Sequence, residues 1–260
     1  MTNLSTLSEP LTQAKLGGLN VQSVLERETF VNILIYGEPG VGKTVLAGSA
    51  SAVPEMGKCV VIDVEGGTMS LGKLYPGVEV VRIKSMKDMQ AVYSELYDMK
   101  HGYGTVILDS VTEIQKFSML QIMKELLQTD ASRDPEVPGL REWGKNGEQT
   151  RRIVRGFRDL PMNTIMTALS RNDKDPRTGM NKVSPSLSGK LSAEVSGFLD
   201  IVGYLYTKMV KDDGEARLAR LLLTSTTDTY VAKDRTGNLE AVIEEPTMSA
   251  ISQAVWSNAA

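Results

Sequence analysis

Residues 37–44 read Gly-Glu-Pro-Gly-Val-Gly-Lys-Thr and fit G-x-x-x-x-G-K-[ST], the spacing of a phosphate-binding loop. Gly37, Gly40 and Gly42 lack a Cβ, so the backbone there can turn left-handed and approach a phosphate closely. Successive N–H groups then point inward as an anion nest, and the following helix adds its positive N-terminal end. The expected cradle comprises Gly37, Glu38, Pro39, Gly40, Val41, Gly42, Lys43, Thr44 and Val45. Lys43 would reach the β- and γ-phosphates of ATP, and the Thr44 hydroxyl would ligate Mg²⁺. A chance glycine-rich turn is the competing reading. The β-rich apolar run at 31–36 and the helix-compatible stretch at 45–51 weigh against it.

Two further acidic positions matter. Asp109 ends the apolar run Thr-Val-Ile-Leu-Asp, as a Walker B acid does, and is expected to hold the Mg²⁺ water shell beside Thr44. Hydrolysis also needs a group that orients and deprotonates water. Asp63 and Glu65 both fall at the end of the strand predicted at 58–63, where ligands collect in an open α/β sheet. Composition does not choose between them.

The elements that must position these side chains follow from the pattern. Strand-like runs at 31–36, 58–63, 78–83, 105–109 and 164–169 alternate with helical spacing, as in a parallel α/β sheet. Ser85, with Asp88 three residues on, predicts a helix start, and Met86, Met89, Val92, Tyr93, Leu96 and Tyr97 keep helical spacing. A helix after Asp109 is expected to carry Phe117, Leu120, Met123 and Leu127 on one side. Residues 129–146 and 170–189 read as long polar loops, with helix resuming at 149–159. A short helix is expected near 191–198. Residues 200–209 and 216–224 predict an antiparallel hairpin turning at Asp213-Gly214. Residues 229–232 read as a strand and 246–257 as a terminal helix. His101 reads as a surface loop residue.

Composition is that of an ordinary globular chain, 41% hydrophobic and 23% charged over 260 residues, with a net charge of −3. No global basicity advertises nucleic acid, so such binding must come from local patches. The single cysteine, Cys59, rules out an internal disulfide; it reads as a buried small hydrophobe and fits a reducing cytosol. No signal peptide or membrane-length apolar run is seen, so a cytoplasmic location is expected. Residues 1–28 read as an arm, flexible or docking on a neighbour, residues 29–245 as the core, and 246–260 as the C-terminal helix.

The P-loop, then Cys-Val-Val-Ile-Asp-Val-Glu at 59–65 and Val-Ile-Leu-Asp-Ser at 106–110, resemble the ATPase core of RecA-type recombinases. More closely, the chain is similar to short RecA-like NTPases of bacteriophages linked to single-strand annealing and recombination. The resemblance covers roughly residues 31–238. It implies a RecA-like core with a mostly parallel sheet flanked by helices and a C-terminal antiparallel hairpin. It matches Glu65 to the catalytic glutamate and Asp109 to the Walker B acid. Lys233 and Arg235, in Lys-Asp-Arg-Thr-Gly, resemble the Lys-x-Arg motif that such proteins present to ATP on the adjacent subunit; a solvated turn is the alternative. Relatives commonly end the fifth strand in a Gln or His that reports the γ-phosphate. Here the run is Thr167-Ala168-Leu169-Ser170, in which Ser170 could serve weakly.

In RecA-like proteins, loops after the fourth and fifth strands line a DNA channel. Residues 141–158 hold Arg141, Lys145, Arg151, Arg152, Arg155 and Arg158 against Glu142 and Glu148, a local +4. Residues 171–190 hold Arg171, Lys174, Arg177, Lys182 and Lys190 against Asp173 and Asp175, a local +3. Basic grooves of this kind track phosphates with little sequence preference, and Trp143 could stack on a base. The expectation is therefore an ATPase that binds single-stranded DNA, as a ring or filament of identical subunits with the ATP site between them. A single-strand DNA-binding protein is an expected partner, the host cytoplasm the location if phage-encoded, and no membrane is involved. A helicase-related motor or loader, and a signalling ATPase without DNA, are the alternatives.

Overall fold

The computed structural model describes residues 15–21, 30–130, 132–134, 136–174, 179–212 and 215–256. The chain falls into two compact units, one within residues 1–29 and one beginning at Phe30. In the first, β1 (Lys15–Leu16) and β2 (Leu19–Asn20) pair antiparallel across Gly17 and Gly18, both at positive φ. Most of the predicted arm lies outside the described residues.

In the second unit, β3 (Asn32–Gly37) leads through the P-loop into α1 (Lys43–Gly48). Then come β4 (Lys58–Asp63), α2 (Met69–Leu74), β5 (Glu79–Arg82), α3 (Met86–Tyr97), β6 (Tyr103–Asp109) and α4 (Val111–Thr129). Helix α5 (Leu140–Arg158), β7 (Asn163–Lys174), β8 (Asn181–Pro185) and α6 (Leu191–Phe198) follow. Strands β9 (Ile201–Asp212), β10 (Glu215–Leu223), β11 (Lys233–Asp234) and β12 (Val242–Glu244) precede α7 (Met248–Trp256).

The sheet runs β12-β10-β9-β3-β7-β6-β4-β5. From β9 to β5 every neighbouring pair is parallel, and β10 and β12 add antiparallel neighbours at one side. This is the RecA-like P-loop NTPase fold. Strand alternation feeds two cores, because both faces are covered. Leu34, Tyr36, Val60, Ile62, Val106 and Leu108 face α3, α4, α5 and α6. Ile33, Ile35, Cys59, Val61 and Ile107 face α1, α2 and α7. Burial pushes the Cys59 thiol up to about 11, so it stays a protonated, inert filler. The Ser85 cap is present: its hydroxyl accepts from the Asp88 N–H at 3.2 Å. His101 does a turn's work, accepting from the Tyr103 N–H at 2.9 Å while its other ring nitrogen lies 3.0 Å from the Leu96 carbonyl.

Several expectations are corrected. The stretch 129–146 is not one long loop, because α5 begins at Leu140 and carries Arg141, Trp143 and Lys145 on helix. Its buried positions start Glu142, Asn146, Thr150, so the inward stripe is polar for two turns and hides the apolar period. Glu142 accepts from the Gly139 N–H at 2.8 Å and closes the first turn. On α4, Val111, Ile114 and Ile122 point inward, whereas Leu120 is 67% exposed. The stretch 170–189 is largely a hairpin in which β7 and β8 pair antiparallel from Ser170↔Pro185 to Lys174↔Asn181. The β9–β10 hairpin is present, but its predicted turn at Asp213-Gly214 lies outside the described residues. Around 229–232 there is only a bridge between Val183 and Tyr230, and the strand falls at Lys233–Asp234.

One packing constraint fixes the P-loop to the sheet. A Cβ on Gly37 would stand 2.2 Å from the Leu205 carbonyl oxygen of β9, which is backbone and cannot yield. Gly37→Ala should therefore destabilise at the upper end of overpacking costs, about 3 kcal/mol. Thermal unfolding without nucleotide checks it; an unchanged midpoint would refute the contact.

Candidate active site

The P-loop lies at the carboxyl ends of the parallel strands. Gly40 and Gly42 hold φ of 80° and 101°, values that L side chains rarely adopt. Gly42 caps α1, and its carbonyl accepts from the Leu46 N–H at 2.9 Å. Lys43 donates to the carbonyls of Gly37 at 3.1 Å and Glu38 at 2.9 Å. Burial holds its ammonium below the usual lysine range, and the nearby carboxylates of Glu65, Asp109 and Glu38 oppose that shift.

Thr44 donates its hydroxyl to Asp109 at 2.7 Å. Asp109 is buried and also accepts from Thr167 of β7. A hydroxyl and a carboxylate side by side are hard oxygen donors, the set Mg²⁺ takes when phosphates and waters supply the rest. Among the described residues no group of three or more His, Cys, Asp or Glu gathers as a metal cage.

The two acids after β4 have different surroundings. Asp63 is buried and accepts from the Gly66 N–H at 2.7 Å and the Thr68 hydroxyl at 3.1 Å, so it holds the turn. Glu65 is exposed at the P-loop edge, close enough to act on Lys43, and accepts from the Ser110 hydroxyl. Ser110 in turn caps α4. Of the two, Glu65 is the exposed carboxylate.

A protein-family profile described as an AAA domain matches residues 29–236. The chain belongs to this AAA domain family. It is a P-loop ATPase of RecA-like fold. No curated protein matches it. Among solved structures, a KaiC-like protein of the archaeon Pyrococcus horikoshii OT3 is 14% identical, with a TM-score of 0.39 over 74% of this chain and 77% of that one. A prototypical ATPase from the type III secretion system of pathogenic bacteria is 16% identical, with a TM-score of 0.41 over 68% of this chain and 51% of the other. The assembled ATPase EscN of the enteropathogenic E. coli type III secretion system is 16% identical, with a TM-score of 0.43 over 68% of this chain and 43% of EscN. This AAA domain chain thus spans about half or less of the two secretion ATPases.

The remaining predicted site residues lie elsewhere. Lys233 donates to the carbonyls of Ser196, Gly197 and Leu199 at 3.3, 3.1 and 2.7 Å, closing the end of α6. Arg235 donates to Asp200 at 2.7 Å and to the Gly197 carbonyl at 3.1 Å. Both sit at the amino-terminal edge of the sheet, since Asp200 bonds Asn32 at the start of β3. Six residues of β3 at about 3.3 Å each separate them from the P-loop of their own subunit. On α5, Lys145 pairs with Glu125 at 2.9 Å, and Arg151 pairs with Glu148 and Glu194. Arg158 pairs with Asp159 at 2.7 Å, and Arg155 lies 4.3 Å over the Phe198 ring. Arg141 is exposed, and Trp143 is 43% exposed. On the hairpin, Arg171 pairs with Asp173 at 2.7 Å, while Lys174, Lys182 and Lys190 are exposed. Arg177 lies outside the described residues.

Sequence reasoning missed two neighbours of the site, Thr167 and Arg220, and named a third, Ser170, only as a weak sensor. Thr167 sits inside an apolar strand, where its polarity was the available signal. Ser170 donates to the carboxylate of Glu38 in the P-loop, a contact across 132 residues. Arg220 of β10 stands 3.0 Å from where a Gly42 Cβ would be, and no local pattern announces it.

Glu65→Gln keeps size and hydrogen bonding but removes the base. ATP turnover should fall roughly 10² or more, with ATP affinity by calorimetry intact. If Asp63→Asn alone gave that separation of turnover from affinity, Asp63 would be the base.

Proposed function

We infer that this ATPase binds single-stranded DNA and supports homologous recombination or strand annealing, working as a ring or filament. The observation that carries the reading is the β7–β8 hairpin. It leaves the P-loop edge of the sheet, is tied there by Ser170 to Glu38, and exposes Lys174 and Lys182. Lys190 adds an exposed cation just before α6. Cations on such a projection attract the phosphates of any strand. The resemblance of residues 37–44, 59–65 and 106–110 to phage annealing NTPases points the same way.

In this reading the P-loop N–H groups and Lys43 bind the ATP phosphates, and Thr44 and Asp109 hold Mg²⁺. Bound Mg²⁺ neutralises charge on the β- and γ-phosphates. Glu65 takes a proton from the water that attacks the γ-phosphorus. The bond to the β–γ bridging oxygen breaks, and ADP and phosphate leave. Lys233 and Arg235, about 20 Å from their own P-loop by strand length, would serve the ATP of an adjacent subunit. Proteins that coat single strands would be natural partners.

A second reading, an ATPase that does not touch DNA, draws on the ion pairs of α5. Lys145, Arg151 and Arg158 have acidic partners within the chain, so the local +4 overstates the field there.

Anisotropy of labelled single- and double-stranded DNA at two salt concentrations separates the readings. Binding should favour single strands and weaken with salt. Lys174→Ala with Lys182→Ala should flatten the slope of log K by about 0.7 for each lost contact. Absence of binding at low salt would leave the DNA-free reading. For the shared ATP site, inactive Lys43→Ala protein is titrated with inactive Arg235→Ala protein. Partial return of turnover is expected, since one mixed interface pairs an intact P-loop with an intact arginine. No recovery despite proven co-assembly would exclude the arginine from a neighbour's site.

A further inference from the structure

A pocket of about 440 Å³ opens beside β9, and no step of ATP hydrolysis uses it. Its walls are Tyr204, Tyr206, Tyr230 and Leu223, with Asp228 and two threonines also lining it. The rings are layered. Tyr204 stacks on Tyr230 at 4.6 Å with 25° between planes, and on Tyr206 at 5.6 Å with 13°. Tyr206 and Tyr230 are half-buried, so ring surface remains accessible.

The pocket is built onto the basic hairpin. Val183 of β8 donates to the Thr229 carbonyl at 2.7 Å and accepts from the Val231 N–H at 3.0 Å. Tyr36 donates to the Val231 carbonyl at 2.6 Å and fixes this segment to the P-loop strand. Val183 shares the face of Tyr230, and exposed Lys182 lies on the opposite face of β8. On β9, Lys208 is exposed two residues beyond Tyr206, on the same face and about 7 Å along the strand. Aromatic surface beside a cation is the chemistry that holds unpaired bases and their phosphates. The Asp228 carboxylate would repel a phosphate but can accept an N–H from a base edge. Tyr204 packs with the core under α3–α6, whereas Leu205 packs with α1 on the other face. The pocket and the helix that would hold ATP phosphates therefore lie on opposite faces of the sheet.

We propose that this pocket is a base-stacking site for single-stranded nucleic acid, with Tyr206 and Tyr230 receiving a base and Lys208 a flanking phosphate. The inference rests on the single-strand reading above and adds to it a dependence on bases, which the hairpin cations alone would not give.

The probes are an oligo-dT strand and an abasic strand of equal length, read by anisotropy with the full chain. Wild-type protein should prefer oligo-dT roughly tenfold, within the range for one stacked base. Tyr206→Leu should remove that preference and leave the salt slope unchanged. Tyr206→Trp should keep it, which separates stacking from a folding defect. Equal wild-type affinity for both strands would overturn the pocket while leaving phosphate-mediated binding in place. Failure to bind either strand would overturn both readings. If Tyr206→Leu instead weakened ATP binding by calorimetry, with the oligo-dT preference intact, the occupant would be the base of ATP and the proposal would fall.

Discussion

Asp109 receives two hydroxyl hydrogen bonds in a buried position, one from Thr44 and one from Thr167. A buried carboxylate without such donors would be costly, so three elements are held together at this point. The sheet order makes the arrangement demanding. Strand β7 lies between the P-loop strand and the strand that ends in Asp109, so the carboxylate must reach Thr44 across it. That works only if the strands end level. The parallel registers Asp63↔Asp109, Leu108↔Met166 and Tyr36↔Ala168 deliver that alignment.

The same edge connects the P-loop to structure beyond it. Gly37 admits the Leu205 carbonyl, Glu38 accepts from Ser170, and Tyr36 holds the segment against which β8 packs. Glu38 also acts on Tyr204. One loop residue thus touches the start of the basic hairpin and stands near the tyrosine pocket. Movement of Glu38 would be felt at both.

The legible parts of the fold are those where local chemistry and period agree. The P-loop has an obligatory spacing, and the parallel strands are apolar runs buried on both faces. The short helix α6 and the terminal helix were read from pattern alone. Helix α5 was legible only from 149 on, because its first inward positions are Glu142, Asn146 and Thr150, polar residues that hide the apolar period. The hairpin β7–β8 escaped because the first strand continues past its apolar half into Arg171, Asn172 and Asp173. At the site, position along the chain put Asp63 and Glu65 on equal terms. The resemblance singles out Glu65, and the structure gives the two different surroundings, Asp63 buried in a turn and Glu65 exposed and accepting from Ser110.

Charge counting fails for a related reason. A window sums neighbours in sequence, but screening partners are neighbours in space. Lys145 finds Glu125 on α4, and Arg151 finds Glu194 on α6. Neither acid lies in the window 141–158 that gave the local +4. Lys174 and Lys182 differ in setting. Asp173 pairs with Arg171 within β7, and the two lysines stand exposed on the paired strands β7 and β8. A polyanion approaching the molecule would meet less competition there than on α5. The hairpin is also hydrogen-bonded to the P-loop, through Ser170 and Glu38.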